Sequence, residues 1–427
     1  MSNKHFVKQL GEIWQNNSDT EKASVNSAKT KSKKWWQASI LSGLIALGLL
    51  VASWWIIDLP LVSPLSGVTS FKFLNDLTRP KPNKPIVYGF LPYWNISKAT
   101  IQPELTNLAY FGLTVGGDGQ IVISQDGGTE PGFNKLQSEE WQNLSQQMKA
   151  QKGQIEIVIA QFSAAEIENL LGSSTSMEKF LVSLDSILLA YPVNGINIDF
   201  EYVGDVSPQL RTEFSTFMHQ LKTHLNTKYR HITLSVDVYA SSAAHPQLWD
   251  ITALAQDVDY FIVMAYDFHR RSSPVAGPVA PLFGGTELWD SDINQYLKSF
   301  LSLVSPHQIL LGVPFYGYEW QTVSQNAQAQ TFPETGATAS YERVQAILAD
   351  KVKLKAVENW HETALAPFVT YLEDDKNYVV YYENARSLAY KLEYASQLNL
   401  AGIAIWALGY EGKTRDLWDP IKASSQQ

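Results

Sequence analysis

The stretch Pro192 to Val203, PVNGINIDFEYV, limits what this chain can become more than any other. After the Asn194-Gly195 turn, Ile196, Ile198 and Phe200 alternate with Asn197, Asp199 and Glu201, the period of a β-strand with one apolar and one oxygen-rich face. At the edge of a sheet such a strand would turn its polar face to water. This one sits in the middle of a chain that alternates short Ile/Val-rich runs with helical ones, the pattern of a parallel sheet covered on both faces. Burying carboxylates costs several kcal/mol unless they are paired or used, so Asp199 and Glu201 read as a site. Residues two apart on a strand are roughly 6.6 Å apart along it. The two carboxyls can therefore share one space, and one can hold the other protonated at neutral pH, as a general acid requires.

Eight runs qualify as buried strands: 86–92, 106–115, 155–162, 195–202, 232–238, 258–268, 309–317 and 401–408. Helices fit between them, the clearest over 208–229, where Leu210, Phe214, Phe217, Met218, Leu221 and Leu225 recur at helical spacing as core packing. Eight β/α units closing on themselves make an α/β fold, the (β/α)8 TIM barrel, with its site at the C-terminal ends of the strands. The barrel domain is expected over 85–420, followed by a tail over 421–427. The gap 318–383 is too long for one crossover and holds a helical run (Tyr341 to Leu348) and a strand-like run (Tyr378 to Tyr382). It reads as a small α+β insertion between strands 7 and 8, forming a wall of the cleft.

Ahead of the barrel, residues 1–34 are polar and aperiodic, a cytoplasmic tail. Residues 35–58 read as a transmembrane helix: Trp36 to Ile57 is about 22 residues without a charge, flanked by Trp35, Trp36, Trp54 and Trp55. Lys29, Lys31, Lys33 and Lys34 precede it and Asp58 follows, which orients the N-terminus to the cytoplasm and the rest outside. A signal peptide cleaved near Val51-Ala52-Ser53 is the alternative. Residues 59–84, with Pro60, Pro64, Pro80 and Pro82, read as a stalk.

A net charge of -9, with no basic stripe in the part expected to fold, argues against nucleic acid as a partner. With no Cys there is neither a disulfide framework nor a thiolate metal site, and His245, His269 and His361 are not at metal-ligand spacing; no metal or cofactor is implied. The 12% of aromatic residues supplies flat apolar faces of the kind sugar clefts use. The chain reads as a monomer.

Taken in order, several motifs carry a family resemblance. Asn194-Gly195-Ile196-Asn197-Ile198-Asp199-Phe200-Glu201 is similar to the fourth-strand signature DGxDxDxE of glycoside hydrolase family 18, the chitinase-like barrels. Gly89-Phe90-Leu91-Pro92-Tyr93-Trp94, Met264-Ala265-Tyr266-Asp267, Gly312-Val313-Pro314-Phe315-Tyr316-Gly317 and Ile405-Trp406-Ala407-Leu408-Gly409 resemble its first, sixth, seventh and eighth strands. The resemblance covers residues 85–412. It implies that Glu201 is the general acid, that Asp199 holds the substrate's 2-acetamido group while that group attacks the anomeric carbon, and that Tyr266 donates a hydrogen bond to it. It further implies that Trp406 floors the sugar, with Tyr93, Asn197, Met264, Asp267 and Tyr316 around the substrate. The partner implied is a polysaccharide or oligosaccharide with 2-acetamido sugars, such as chitin or peptidoglycan; a catalytically silent glycan-binding protein or a structural scaffold of the envelope are the rival readings.

Three departures stand out. Asn occupies 194, where it reads as a turn residue, and 197; the third strand lacks an evident small-residue signature; and Tyr318 follows Tyr-Gly where many members have Arg. The Asn197-to-Glu201 form is similar to the bacterial branch acting on cell-wall glycans, including spore-cortex lytic enzymes. Because Asn197 cannot ionise, Asp199 is expected to lack a proton-sharing partner and to stay an anion to lower pH.

Overall fold

The computed structural model describes residues 84–245 and 247–425, so the tail and membrane span expected from the sequence, and the stalk up to residue 83, lie outside the described residues. Among the described residues no helix is long and apolar enough to cross a membrane. The apolar runs become eight strands: β1 (Ile86–Pro92), β2 (Asn107–Thr114), β3 (Gln154–Gln161), β4 (Gly195–Phe200), β5 (Thr233–Tyr239), β6 (Tyr260–Met264), β7 (Ile309–Pro314) and β8 (Gly402–Trp406). Each pairs in parallel with its neighbours, and β8 closes the barrel onto β1 with Ile86 opposite Gly402. Closure explains that glycine, since a Cβ at 402 would lie 1.9 Å from the Ile86 carbonyl oxygen.

Both faces of β4 are buried, as a parallel barrel requires. Its outward residue Phe200 packs on Phe214 and Phe217, at 6.1 and 5.5 Å between ring centres. Both belong to the helix Pro208–Lys228, whose first turn is capped by the Ser207 hydroxyl accepting from Leu210 N–H at 3.1 Å. The buried stripe of that helix is the one read from the sequence. Inside the barrel, Tyr88, Phe90, Ala109, Phe111, Val158, Ala160, Ile262, Leu310 and Ala404 form one apolar cluster, with Trp406 against it. The remaining sector, β4 and β5, is polar, with Asn197, Asp199, Ser235 and Asp237 all buried.

Two strands end well short of the expected runs, 309–317 at Pro314 and 258–268 at Met264. The run 309–317 breaks at Phe315, whose N–H donates to the Trp406 carbonyl at 2.8 Å. Tyr316–Thr322 then leaves the barrel as part of an inserted antiparallel five-stranded sheet, ordered 337–340, 316–322, 376–381, 366–373, 357–361 and accompanied by the helix Tyr341–Ala349. The insertion therefore begins at 316 rather than 318. The run 258–268 stops at Met264, and Asp267 turns the chain with φ of 61°. Unbroken apolarity cannot mark such ends, because a buried loop and a buried strand share a composition. The final helix, Trp418–Ser424, runs past residue 420.

Toward the N-terminal end of the barrel, Glu156 is buried, accepting from Tyr88 Oη at 3.0 Å and Asn107 Nδ2 at 2.7 Å. Burial pushes its carboxyl up to about 7 despite both bonds. A carboxyl raised on folding stabilises the protein below its unfolded pKa, and that contribution is lost as pH rises from the ordinary glutamate range through about 7. Glu156→Gln should therefore gain roughly 2–3 kcal/mol relative to wild type between pH 5 and pH 8, from about 1.4 kcal/mol per pKa unit. Denaturant titrations of both proteins at the two pH values check this; a difference independent of pH would mean that the folded carboxyl ionises normally.

Candidate active site

The inner face of β4 carries Asn197 and Asp199, both buried, and delivers Glu201, half-buried, one residue past the strand's end. Glu201 N–H is tied to the Gln161 carbonyl at 2.9 Å, fixing it at the C-terminal mouth. On one side, Asp199 pairs with Ala160 of β3, a small buried residue. On the other, Asn197 is in register with Ser235 and Ile198 with Val236, so the next step brings Asp199 alongside Asp237 of β5. Asn197 Nδ2 donates to Ser235 Oγ at 3.0 Å and to Asp237 Oδ1 at 2.8 Å. Among the described residues, Asn197 Oδ1 and Asp199 Oδ1 are buried and have no hydrogen-bond partner.

This sector is electrostatically crowded. Burial, then the neighbouring Asp237 and Glu201 carboxylates, raise Asp199 well above the ordinary aspartate range. The expectation that Asp199 would stay ionised to lower pH is thus reversed: the carboxyl absent from position 197 is present one strand away, at 237. Asp237 escaped the sequence reading although its signal was there, since Ser235, Asp237 and Tyr239 alternate with Leu234, Val236 and Val238 as the polar residues of β4 do. Glu201 is also raised, chiefly by burial and further by Asp267, against the opposing pull of the Tyr239 hydroxyl and Arg270.

The segment after β6 and the inserted sheet complete the cleft. Tyr266 and Asp267 are half-buried, and Tyr266 meets Tyr316 edge-on at 6.2 Å. Asp267 Oδ1 accepts from the hydroxyl of Tyr316 and, at 2.9 Å, from that of Tyr318. Tyr318, the departure from the family's arginine, thus has a definite task in holding Asp267. Burial raises the Tyr266 phenol well above its usual range, helped by the surrounding carboxylates, so it stays a donor. Met264, half-buried, is in register with Tyr239. Trp406 is half-buried, 4.8 Å from Phe111 and 5.7 Å from Phe90 between ring centres. From there the aromatic surface continues outward: Phe111 meets Trp94, 47% exposed, at 5.9 Å, and Tyr93 meets Trp94 at 5.0 Å. Phe111 and Trp94 were not singled out from the sequence, because nothing local shows which aromatic side chains remain uncovered. Asn194 lies away from this cleft: its Oδ1 accepts from Ile155 N–H at 2.9 Å, bracing the start of β3.

A barrel with an acidic inner sector, an aromatic floor and an inserted sheet agrees with the family comparison, in which residues 71–411 match the sequence model of glycosyl hydrolases family 18. The chain belongs to that family. This family 18 chain is 26% identical to a class V chitinase of Arabidopsis thaliana over 273 residues, 60% of this chain and 70% of the other. It is 25% identical to a cortical fragment-lytic enzyme of Bacillus anthracis over 258 residues, 58% of this chain and 54% of that enzyme, so it matches only about half the latter's length. Among solved structures, a group IV chitinase of Ostrinia furnacalis shares the fold with a TM-score of 0.68 at 20% identity, over 80% of this chain and 98% of that one. The Bacillus cereus spore cortex-lytic enzyme gives 0.62 at 21% identity, over 81% and 75%.

Proposed function

We propose that this family 18 member is a retaining glycoside hydrolase that cleaves β-1,4 bonds of N-acetylglucosamine-containing glycans with the sugar's own acetamide as nucleophile. The observation that carries the reading is the placement of a buried, open-handed Asp199 directly below the half-buried Glu201 at the barrel mouth. Glu201, whose proton burial holds beyond the ordinary carboxylate range, gives it to the glycosidic oxygen as the bond to the anomeric carbon breaks. The acetamide oxygen of the same sugar forms the new bond to that carbon, leaving a positively charged oxazolinium. Asp199 Oδ1, free of internal partners, receives the acetamide N–H, and the Tyr266 hydroxyl donates to the acetamide oxygen. Water then gives a proton to the Glu201 carboxylate and attacks the anomeric carbon from the vacated side, which restores the starting configuration and the acid.

The charge pattern favours this route. Burial first, and then neighbouring carboxylates, make each of Asp199, Asp237 and Glu201 resist ionisation, and a cation developing above them relieves that cost only as the reaction proceeds. The relatives named as a chitinase and a cortical fragment-lytic enzyme support chitin-like glycan or peptidoglycan as substrate. Incubating the protein separately with purified peptidoglycan and chitin oligomers and weighing the products tests the proposal. Bound but uncut glycan would instead support a silent binding protein.

The same proposal places the barrel outside the cell on a single N-terminal span, from the uncharged run after Lys34. Protease added to intact cells or spheroplasts should digest the barrel and spare the N-terminal tail. The opposite pattern would overturn the orientation.

A further inference from the structure

The carboxyl of Asp237 takes no part in the steps above, yet it lies on the inner face of β5 only 3% exposed. Its Oδ1 and Ser235 Oγ together take both hydrogens of the Asn197 amide. With its nitrogen committed to β5, that amide turns its carbonyl oxygen away from β5, where it is left buried without a donor. Two residues along the same face, Asp199 Oδ1 is buried without a donor as well. A buried acceptor left unmet is destabilising. One proton shared on this face meets the need, and the hydrogen bonds say where it sits. Burial raises both carboxyls, but only Asp237 accepts from the Asn197 amide, a bond that favours its anion, so of the two the charge falls on Asp237 and the proton on Asp199.

We propose that Asp237 is a positioning residue for Asp199, locking the Asn197 amide so that its carbonyl oxygen accepts the Asp199 carboxyl proton before substrate arrives. The inference rests on the substrate-assisted reading, in which the active form has Asp199 ionised, its proton released to water at the barrel mouth, so that it receives the acetamide N–H. Asp237 thereby sets the acidic limit of activity, since a fixed negative neighbour makes Asp199 harder to ionise. Other groups facing the pair are Glu201 just past β4, Ser235 and Tyr239 on β5, Glu156 on β3, Tyr88 on β1, and Tyr266, Asp267 and Arg270 after β6. They are common to all the variants below, so differences between variants report on 237 and 197.

The test uses the full chain carrying Asp237→Asn, which keeps an acceptor for the Asn197 amide while removing the charge, and the double variant Asn197→Asp with Asp237→Asn, which moves the carboxyl from β5 to β4. Two readouts are compared with wild type: kcat/KM against pH on one acetylated chitin oligomer, and the NMR titration of the Asp199 carboxyl in protein labelled at the aspartate carboxyl carbons. In Asp237→Asn both the acidic limb and the titration should move to lower pH by about one unit or more, with kcat changed more than KM, and the double variant should return both toward wild type. Superimposable curves for wild type and Asp237→Asn, or a double variant no nearer wild type than the single, would overturn the proposal. A wild-type protein that cuts no acetylated glycan but shows the titration shift would sink the hydrolase reading while upholding the coupling of Asp237 to Asp199.

Discussion

Glu201→Gln should fold as wild type does and lose turnover by roughly 10²- to 10⁴-fold, the usual worth of a positioned general acid. The amide matches the carboxyl in size, so the backbone tie from residue 201 to Gln161 and the packing around it are kept. What disappears is the proton for the glycosidic oxygen and the base that later activates water. Burial holds Glu201 protonated above the ordinary carboxylate range, so wild-type activity should fall on the alkaline side as that proton is lost, and whatever activity the variant retains should lack that limb. Matching circular dichroism and thermal midpoint with a collapsed kcat is the expected pair of measurements. A well-folded variant with wild-type turnover would remove Glu201 from the mechanism.

The second large effect is on the substrate. A glycan whose sugar at the cleavage position has a free amine in place of the acetamide lacks the nucleophile. Intramolecular nucleophiles in good geometry reach effective concentrations of about 10⁵ M or more, so cleavage at deacetylated positions should fall by at least about 10³-fold. Partially deacetylated chitin oligomers provide the measurement within one sample: every newly formed reducing end should be N-acetylated when products are sequenced by mass. Equal numbers of acetylated and deacetylated reducing ends would point to an ordinary two-carboxylate mechanism, with Asp199 as the attacking group.

Much of this architecture was legible before folding was considered. The alternation from Ile196 to Glu201 specified which side chains enter the barrel, and the helical stripe from Leu210 to Leu225 specified what covers β4 from outside. Strand ends were less legible. The Gly312-to-Gly317 motif reads as one apolar run but bends out of the barrel at Phe315, since what ends β7 is a bond to Trp406 from a strand far along the chain.

By itself the sequence determined the barrel class, the inward placement of Asp199 and the position of Glu201 at the strand's mouth, because side-chain direction along a strand repeats every two residues and needs no partner. Only the tertiary structure decided what those groups meet. Asp237 reaches Asn197 across 40 residues of chain and Tyr318 reaches Asp267 across 51, through the β4–β5 register and the docking of the inserted sheet. Burial and neighbouring charge, which set whether Asp199 keeps its proton, are properties of that assembled space and of no single strand.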